Sequence, residues 1–263
     1  MTVSTPIIVS GFFRSGTSIT QDIIKKSLPD GIHFYEPLHG LMRDWMDQED
    51  NRFFPYKNLL FFSRLYTQDY DLQDLYLSEN DEWPQLRFYL YHLYARARSI
   101  KFTRTSMRLG WLASLFPEAK VIVILRDPRA QYHSIHNYKD PEEPLFGDPY
   151  LTKRYYEYFK ARTEPPCIAT EATDDVEQFF LFWKLIKEET ERCLKLFPNI
   201  KRIWYEDLVS KPNEILQELS DFVGLKLRDP GIRSDNKTSW LAYESFYNTK
   251  MNLLFDTKNP RRV

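Results

Sequence analysis

Cysteine and glycine are scarce in this chain, with two of the former and eight of the latter in 263 residues. The two thiols, Cys167 and Cys193, exclude a disulfide framework and lack metal-ligand spacing, which points to a reducing compartment and to no metal site. An excess of either charge is also missing: 36 basic residues against 37 acidic ones leave a formal net charge of -1. A broadly basic nucleic-acid binder is thereby excluded, and no nucleic-acid partner is expected. No apolar run approaches the roughly 18–20 residues that a bilayer span requires, and the chain opens without a signal-like segment. A cytoplasmic protein is expected. What is plentiful is aromatic: Phe, Trp and Tyr make up 16% of the residues, within an ordinary 43% hydrophobic and 28% charged composition.

Short β-type runs alternate with helical periods. "PIIVS" (Pro6–Ser10), "IHFYEP", "SIKFT" (Ser99–Thr103), "KVIVILRDP" and "NIKRIWYEDL" read as five strands. The fourth is a continuous aliphatic run of the kind found in central parallel strands. Helical spacing runs through Ile19, Ile23, Ile24 and Leu28, from Leu86 to Ala97, and from Phe179 to Phe197. This alternation predicts an α/β fold of three layers, a P-loop NTPase-like central parallel sheet flanked by helices. Ligands should bind beyond the carboxyl ends of its strands. One domain over residues 1–263 is expected, with an aromatic-rich helical insertion between the second and third strands, at about 38–98. "PEEPLFGDP" (Pro141–Pro149) and "RTEPPC" read as excursions from that core.

Two of the few glycines fall in "GFFRSGTS" (Gly11–Ser18), between the first strand and a helical pattern, with the spacing of a phosphate-binding loop. Gly11 and Gly16 permit the turn, backbone N–H groups point at an anion, and Ser15, Thr17 and Ser18 add hydroxyls. In an NTPase a lysine follows the second glycine and reaches the β/γ-phosphates. Here Thr17 takes that place, and the loop's cation is Arg14. Such a loop suits a single 5′-phosphate better than a metal-bound triphosphate. An ordinary strand–turn–helix with an exposed arginine is the alternative.

"VIVILRDPRAQYHS" supplies a second candidate site. Arg126 ends the strand, Asp127 is placed to cap a helix, Pro128 takes its first position, and Ser134 lies about two turns along. Arg126 and Ser134 can clamp a phosphate; the alternative has Arg126 paired with a carboxylate and Arg129 and Ser134 solvated. Two phosphate sites on one sheet, without metal ligands, describe a 3′,5′-bisphosphorylated nucleoside.

These segments resemble sulfotransferases that use 3′-phosphoadenosine 5′-phosphosulfate (PAPS) and release 3′-phosphoadenosine 5′-phosphate (PAP). "GFFRSGTS" resembles that family's 5′-phosphosulfate loop, and "ILRDPRAQYHS" its 3′-phosphate segment. "WYEDLVSKPNEILQELSDFVGL" resembles its late tyrosine-containing segment and the helix after it. The resemblance implies that Arg14 sits beside the bridging oxygen and that Ser15, Gly16, Thr17, Ser18, Arg126 and Ser134 bind the nucleotide. It further implies contacts from Tyr205 near the adenine and a late closing segment containing Lys237, Thr238 and Ser239. Lys101 resembles a catalytic lysine of protein-tyrosine sulfotransferases. Glu36 in "FYEPL" resembles the general base of the tyrosine and carbohydrate type. Cytosolic small-molecule sulfotransferases place a histidine just after a strand-end lysine, whereas this stretch reads "IKFTR", so the tyrosine/carbohydrate type is expected.

Each role has a structural alternative. Glu36 can cap a helix, Lys101 can be a surface lysine and Tyr205 a core one. His33 and His39 are alternative bases, while His133 and His136 read as solvated helix residues. The insertion holds Trp45, Phe53, Phe54, Tyr56, Phe61, Phe62, Tyr66, Tyr70, Tyr76 and Trp83, mostly core, with a few free to stack on an acceptor. "DYDLQDLYLSENDEW" carries six acids and no base, which disfavours a heavily sulfated polysaccharide. The expected partner is a hydroxyl-bearing acceptor, a carbohydrate or another small molecule. A P-loop nucleotide or small-molecule kinase and a non-catalytic nucleotide-binding module are the rival readings.

Overall fold

The aliphatic runs form strands because their alternate residues are buried on opposite faces. In Lys120–Leu125 (β4), Val121, Val123 and Leu125 belong to one apolar cluster, while Ile122 and Ile124 belong to another. In Ile7–Ser10 (β1), Ile8 faces the first cluster, and Ile7 and Val9 face the second. A strand buried on both faces requires a layer of helices on each. The computed structural model has that arrangement; it describes residues 5–40, 42, 54–57, 59, 65–67, 70, 75–137, 149–229, 231–232, 239–257 and 259–261.

Five parallel strands are ordered β2-β3-β1-β4-β5, with β2 at Ile32–Tyr35, β3 at Ala97–Phe102 and β5 at Ile200–Trp204. The chain leaves β1 for β2 and β3 on one side and then for β4 and β5 on the other. The sheet therefore switches direction at the carboxyl end of β1, where open α/β sheets hold ligands.

One face is covered by α1 (Thr17–Ser27), which buries Ile23 and Ile24 against the second cluster. The other is covered from the chain segment between β2 and β3, where Phe54–Lys57 forms a short turn of helix (α2) and Pro84–Tyr94 forms α3. Also on that face are α4 (Leu109–Leu115), α5 (Pro128–His136), α6 (Pro149–Ala161) and α7 (Asp175–Leu196). After β5 come α8 (Tyr205–Ser210) and α9 (Pro212–Val223), then a 3-10 turn at Ser239–Tyr243 and α10 (Glu244–Phe255). Among the described residues, no helix is long and apolar enough to cross a membrane.

Two boundaries differ from the sequence pattern. Ala97, the last apolar position of the α3 period, is the first residue of β3, because the helix ends at Tyr94 and the chain turns directly into the sheet. Of Pro141–Pro149, only Pro149 lies within the described residues, and it opens α6 rather than closing a loop.

Candidate active site

The loop after β1 is held in place from three sides. Gln131 Nε2 on α5 donates to the Phe13 carbonyl at 2.6 Å, and Arg126 Nη1 donates to the Arg14 carbonyl at 2.8 Å. Arg14 Nε in turn donates to Ser134 Oγ at 3.1 Å. Arg14 from the loop after β1, and Arg126 and Ser134 from the stretch that runs from β4 into α5, thus meet at the sheet's carboxyl edge. Arg14 has φ 63, a left-handed conformation that costs a residue with a side chain about 1–3 kcal/mol and is found mostly where surrounding contacts enforce it. Of the loop hydroxyls, Ser15 and Thr17 are buried and Ser18 is exposed on the first turn of α1. Among the described residues, Ser15 Oγ and Arg126 Nε are buried without a hydrogen-bond partner.

Gly16 closes the loop at φ 105, directly under the Tyr205 ring. A Cβ there would lie 2.4 Å from Tyr205 Cδ2. Gly16→Ala combines left-handed strain with that clash and is expected to lower stability by about 2 kcal/mol, read as a shifted urea midpoint at unchanged m-value.

Tyr205, the first residue after β5, also carries the Arg126 guanidinium over its ring at 4.6 Å from the centroid. Burial pulls Arg126 below the ordinary arginine range. Trp183 Nε1 on α7 holds the Arg126 carbonyl at 3.1 Å. Asp127 caps α5 by accepting from Arg129 N at 2.9 Å, and Pro128 fills the first helical position. Arg129 is not a solvated helix residue. It is buried, ion-paired with Asp127, and linked to α10 through Asn248 Oδ1 at 2.5 Å.

A second group forms between β2 and β3. Glu36 follows β2 at φ 49; its N–H donates to the Lys101 carbonyl at 3.0 Å, and its own carbonyl accepts from His39 N at 3.0 Å. Lys101 is neither at the surface nor solvated: it is 2% exposed, and its Nζ lies 2.6 Å from Glu36 Oε1 and 3.8 Å from the centre of the Tyr35 ring. Oε1 has that ammonium as its charge partner but, among the described residues, accepts no hydrogen bond of standard geometry. Oε2 accepts from Thr103 N at 3.0 Å and Thr103 Oγ1 at 2.6 Å, with Arg104 Nη1 at 3.7 Å. Two buried cations therefore surround one buried carboxylate. His39 is fully buried beside them; desolvation first, then Arg104 and Lys101, hold its ring well below the usual histidine range, so it is neutral.

The turn carrying Glu36 is pinned by tyrosines of the aromatic segment. Tyr56 OH donates to the Tyr35 carbonyl at 2.9 Å, Tyr89 OH to that of Pro37 at 2.8 Å, and Tyr66 OH to that of His39. Burial raises the Tyr56 and Tyr89 phenols well above their ordinary range, which keeps them protonated as donors. Tyr70 stacks on Tyr89, and Trp83 packs edge-on against Tyr70. Tyr76 packs edge-on against Phe159. Trp45, Phe53, Phe61 and Phe62 lie outside the described residues, as does the Phe54 side chain.

Other expectations change. His33 bonds to Ser99 Oγ and to the Leu28 carbonyl, both at 2.8 Å, so it braces the start of β2 rather than joining Glu36. His136 is not merely solvated: it stacks on Tyr132 and meets Asp175 Oδ2 at 2.9 Å. His133 is half-buried against Tyr243 and Tyr247. Lys237 and Thr238 lie outside the described residues, and Ser239 is described only as the backbone start of the 3-10 turn. Thr103, Arg104 and Gln131 escaped the sequence reading, although all three lie within stretches already singled out, "IKFTR" and "ILRDPRAQYHS".

A parallel α/β sheet with a glycine loop at its switch point and cations on the neighbouring strand ends is an architecture that many nucleotide-binding proteins share. Within it, residues 6–229 match the Sulfotransferase family, and the chain belongs to that family. The omega-hydroxy-beta-dihydromenaquinone-9 sulfotransferase Stf3 of Mycobacterium bovis is 27% identical over 175 residues, 51% of this chain and 45% of that protein. Its Mycobacterium tuberculosis counterpart aligns identically. The alignment thus spans less than half the length of these curated relatives. Similar solved structures include a sulfotransferase domain from the curacin biosynthetic pathway, at 19% identity and TM-score 0.47 over 85% of this chain and 75% of that one. Another is a sulfotransferase from Alicyclobacillus acidocaldarius, at 16% identity and TM-score 0.45 over 97% of each chain. The expected leaning toward the protein-tyrosine and carbohydrate type is overturned. Stf3 is named for a hydroxylated dihydromenaquinone, a small molecule that is neither.

Proposed function

We propose that this chain transfers a sulfuryl group from PAPS to the hydroxyl of a small-molecule acceptor. The observation that carries the reading is the pair of orphaned polar atoms, Ser15 Oγ and Arg126 Nε, buried on the loop side of the sheet edge. A buried polar atom without a partner costs about 1–3 kcal/mol, which a phosphate oxygen at each would offset. Beside them Gly16 packs directly against the Tyr205 ring, which fixes the turn of the loop and its backbone N–H groups. The residues therefore fit the co-substrate. In this reading the loop from Gly11 to Ser18 is a P-loop variant whose 5′-phosphate contacts come from Ser15, Gly16, Thr17 and Ser18. Arg126 and Ser134 take the 3′-phosphate, Tyr205 lies near the base, and Lys237 and Ser239 belong to a late closing segment.

PAPS supplies an activated sulfur on a single phosphate, so this chain's work is positioning and charge stabilisation. Arg14 faces the charge that grows on the leaving oxygen. Lys101 and Arg104 provide positive charge beside the sulfuryl oxygens. Glu36 accepts the acceptor's hydroxyl proton. Phe13 lies under Arg104 and Tyr35 under Lys101, so aromatic rings hold the two cations in place beside Glu36. A hydroxylated small molecule of the kind for which Stf3 is named is the acceptor class that this reading favours. We take the chain to act as one domain, and its two free cysteines suit a cytoplasmic setting. A kinase is disfavoured because Asp127, the strand-end acid that would hold Mg²⁺, is occupied with Arg129 and the cap of α5.

The test is a metal-free thermal-shift comparison of PAP, ADP and ATP. At about 100 times its Kd, PAP should stabilise by about 2.7 kcal/mol and raise Tm by several degrees. ADP or ATP matching PAP would sink the reading.

A further inference from the structure

We propose that Thr103 is the positioning residue for Glu36, and that it commits Glu36 Oε1, not Oε2, to taking the acceptor's proton. The inference rests on the sulfotransferase reading and deepens it. Thr103 is the residue immediately after β3 and is 4% exposed. It grips one oxygen of Glu36 twice, through its N–H at 3.0 Å and its hydroxyl at 2.6 Å. The hydroxyl has a single proton to give. Arg104 Nη1 donates to Thr103 Oγ1 at 3.4 Å, so a neighbouring cation occupies one of its lone pairs and turns that proton toward Oε2. Arg104 adds its charge 3.7 Å from the same oxygen.

The two carboxylate oxygens are therefore inequivalent. Oε2 is committed to two hydrogen bonds, whereas among the described residues Oε1 accepts none of standard geometry and has the buried Lys101 ammonium, 2.6 Å away, as its charge partner. In the transfer, the acceptor's O–H proton passes to Oε1 while the acceptor oxygen bonds to sulfur. The bond from sulfur to the leaving phosphate oxygen breaks, and its electron pair remains on that phosphate. A carboxylate anchored at one oxygen presents the other in a fixed direction, which general-base catalysis requires.

The variants are Thr103→Val, which keeps shape and backbone N–H but removes the hydroxyl, and Thr103→Ser, which restores it. PAPS consumption is followed with 1-octanol as probe alcohol and with water as background acceptor, beside PAP affinity by calorimetry. Thr103→Val should lower kcat about tenfold, the worth of a hydrogen bond to a charged group, with PAP affinity and the KM for PAPS unchanged. Thr103→Ser should recover most of it. Wild-type kcat in Thr103→Val, or no recovery in Thr103→Ser, overturns the inference. If turnover falls below detection, a crystal structure of Thr103→Val decides: Glu36 kept in its original conformer counts against the proposal, and a displaced carboxylate supports it. Failure of PAP to bind the wild type would instead strike the sulfotransferase reading itself.

Discussion

Glu36→Gln is expected to lower kcat for PAPS-dependent sulfation by about 10²- to 10⁴-fold, the usual contribution of a positioned general base. The amide preserves size and can still accept from Thr103, so PAP affinity should change little. The local alternative is His39, buried in the same cluster and held in its neutral, proton-accepting form. The two candidates separate by comparison. His39→Gln should leave most of kcat intact if Glu36 is the base, because the His39 backbone N–H, which holds the Glu36 carbonyl, survives that change. A large loss in His39→Gln together with a small one in Glu36→Gln would reverse the assignment.

The five strands were readable because each run is too short for a surface helix, and the fourth is continuously aliphatic, as a central parallel strand is. The sheet order was not, since nothing local to "PIIVS" records that β3 and β4 flank it. Part of the candidate site was legible for a related reason. Ligands of parallel sheets gather at carboxyl ends, so Arg14, Glu36, Lys101 and Arg126 stood out at or near strand ends, whereas Tyr205 was singled out only by the family resemblance. Thr103 and Arg104 stand at an equivalent place, after β3, yet their role depends on facing Glu36 across a strand pair 67 residues away in sequence. The tyrosines of the aromatic segment were assigned to the core, and Tyr56, Tyr66 and Tyr89 are indeed buried. What composition cannot express is that their hydroxyls grip the carbonyls on both sides of Glu36. Packing residue and positioning residue are here the same side chain.

Removing the charge of Glu36 should destabilise the fold more than removing that of Lys101, although the two are partners. Lys101→Met leaves the carboxylate with both Thr103 hydrogen bonds and with Arg104 nearby, and keeps an apolar stem against Tyr35. Glu36→Gln leaves two buried cations, Lys101 and Arg104, on either side of a neutral amide. Breaking a buried pair typically costs about 3–5 kcal/mol, and the remaining partner's surroundings decide where in that range a variant falls. Glu36→Gln should lie at the upper end and Lys101→Met at or below the lower, measured by urea unfolding at pH 7. The same imbalance gives a second readout. Two cations without their carboxylate form a seat for a tetrahedral dianion once the side chain is cut back, so sulfate at low millimolar concentration should raise the Tm of Glu36→Ala more than that of the wild type. At that concentration the general stabilising action of sulfate is small and shared by both proteins. Equal Tm gains would mean that Lys101 and Arg104 do not converge on a common anion, and their assignment to the sulfuryl oxygens would fail with it.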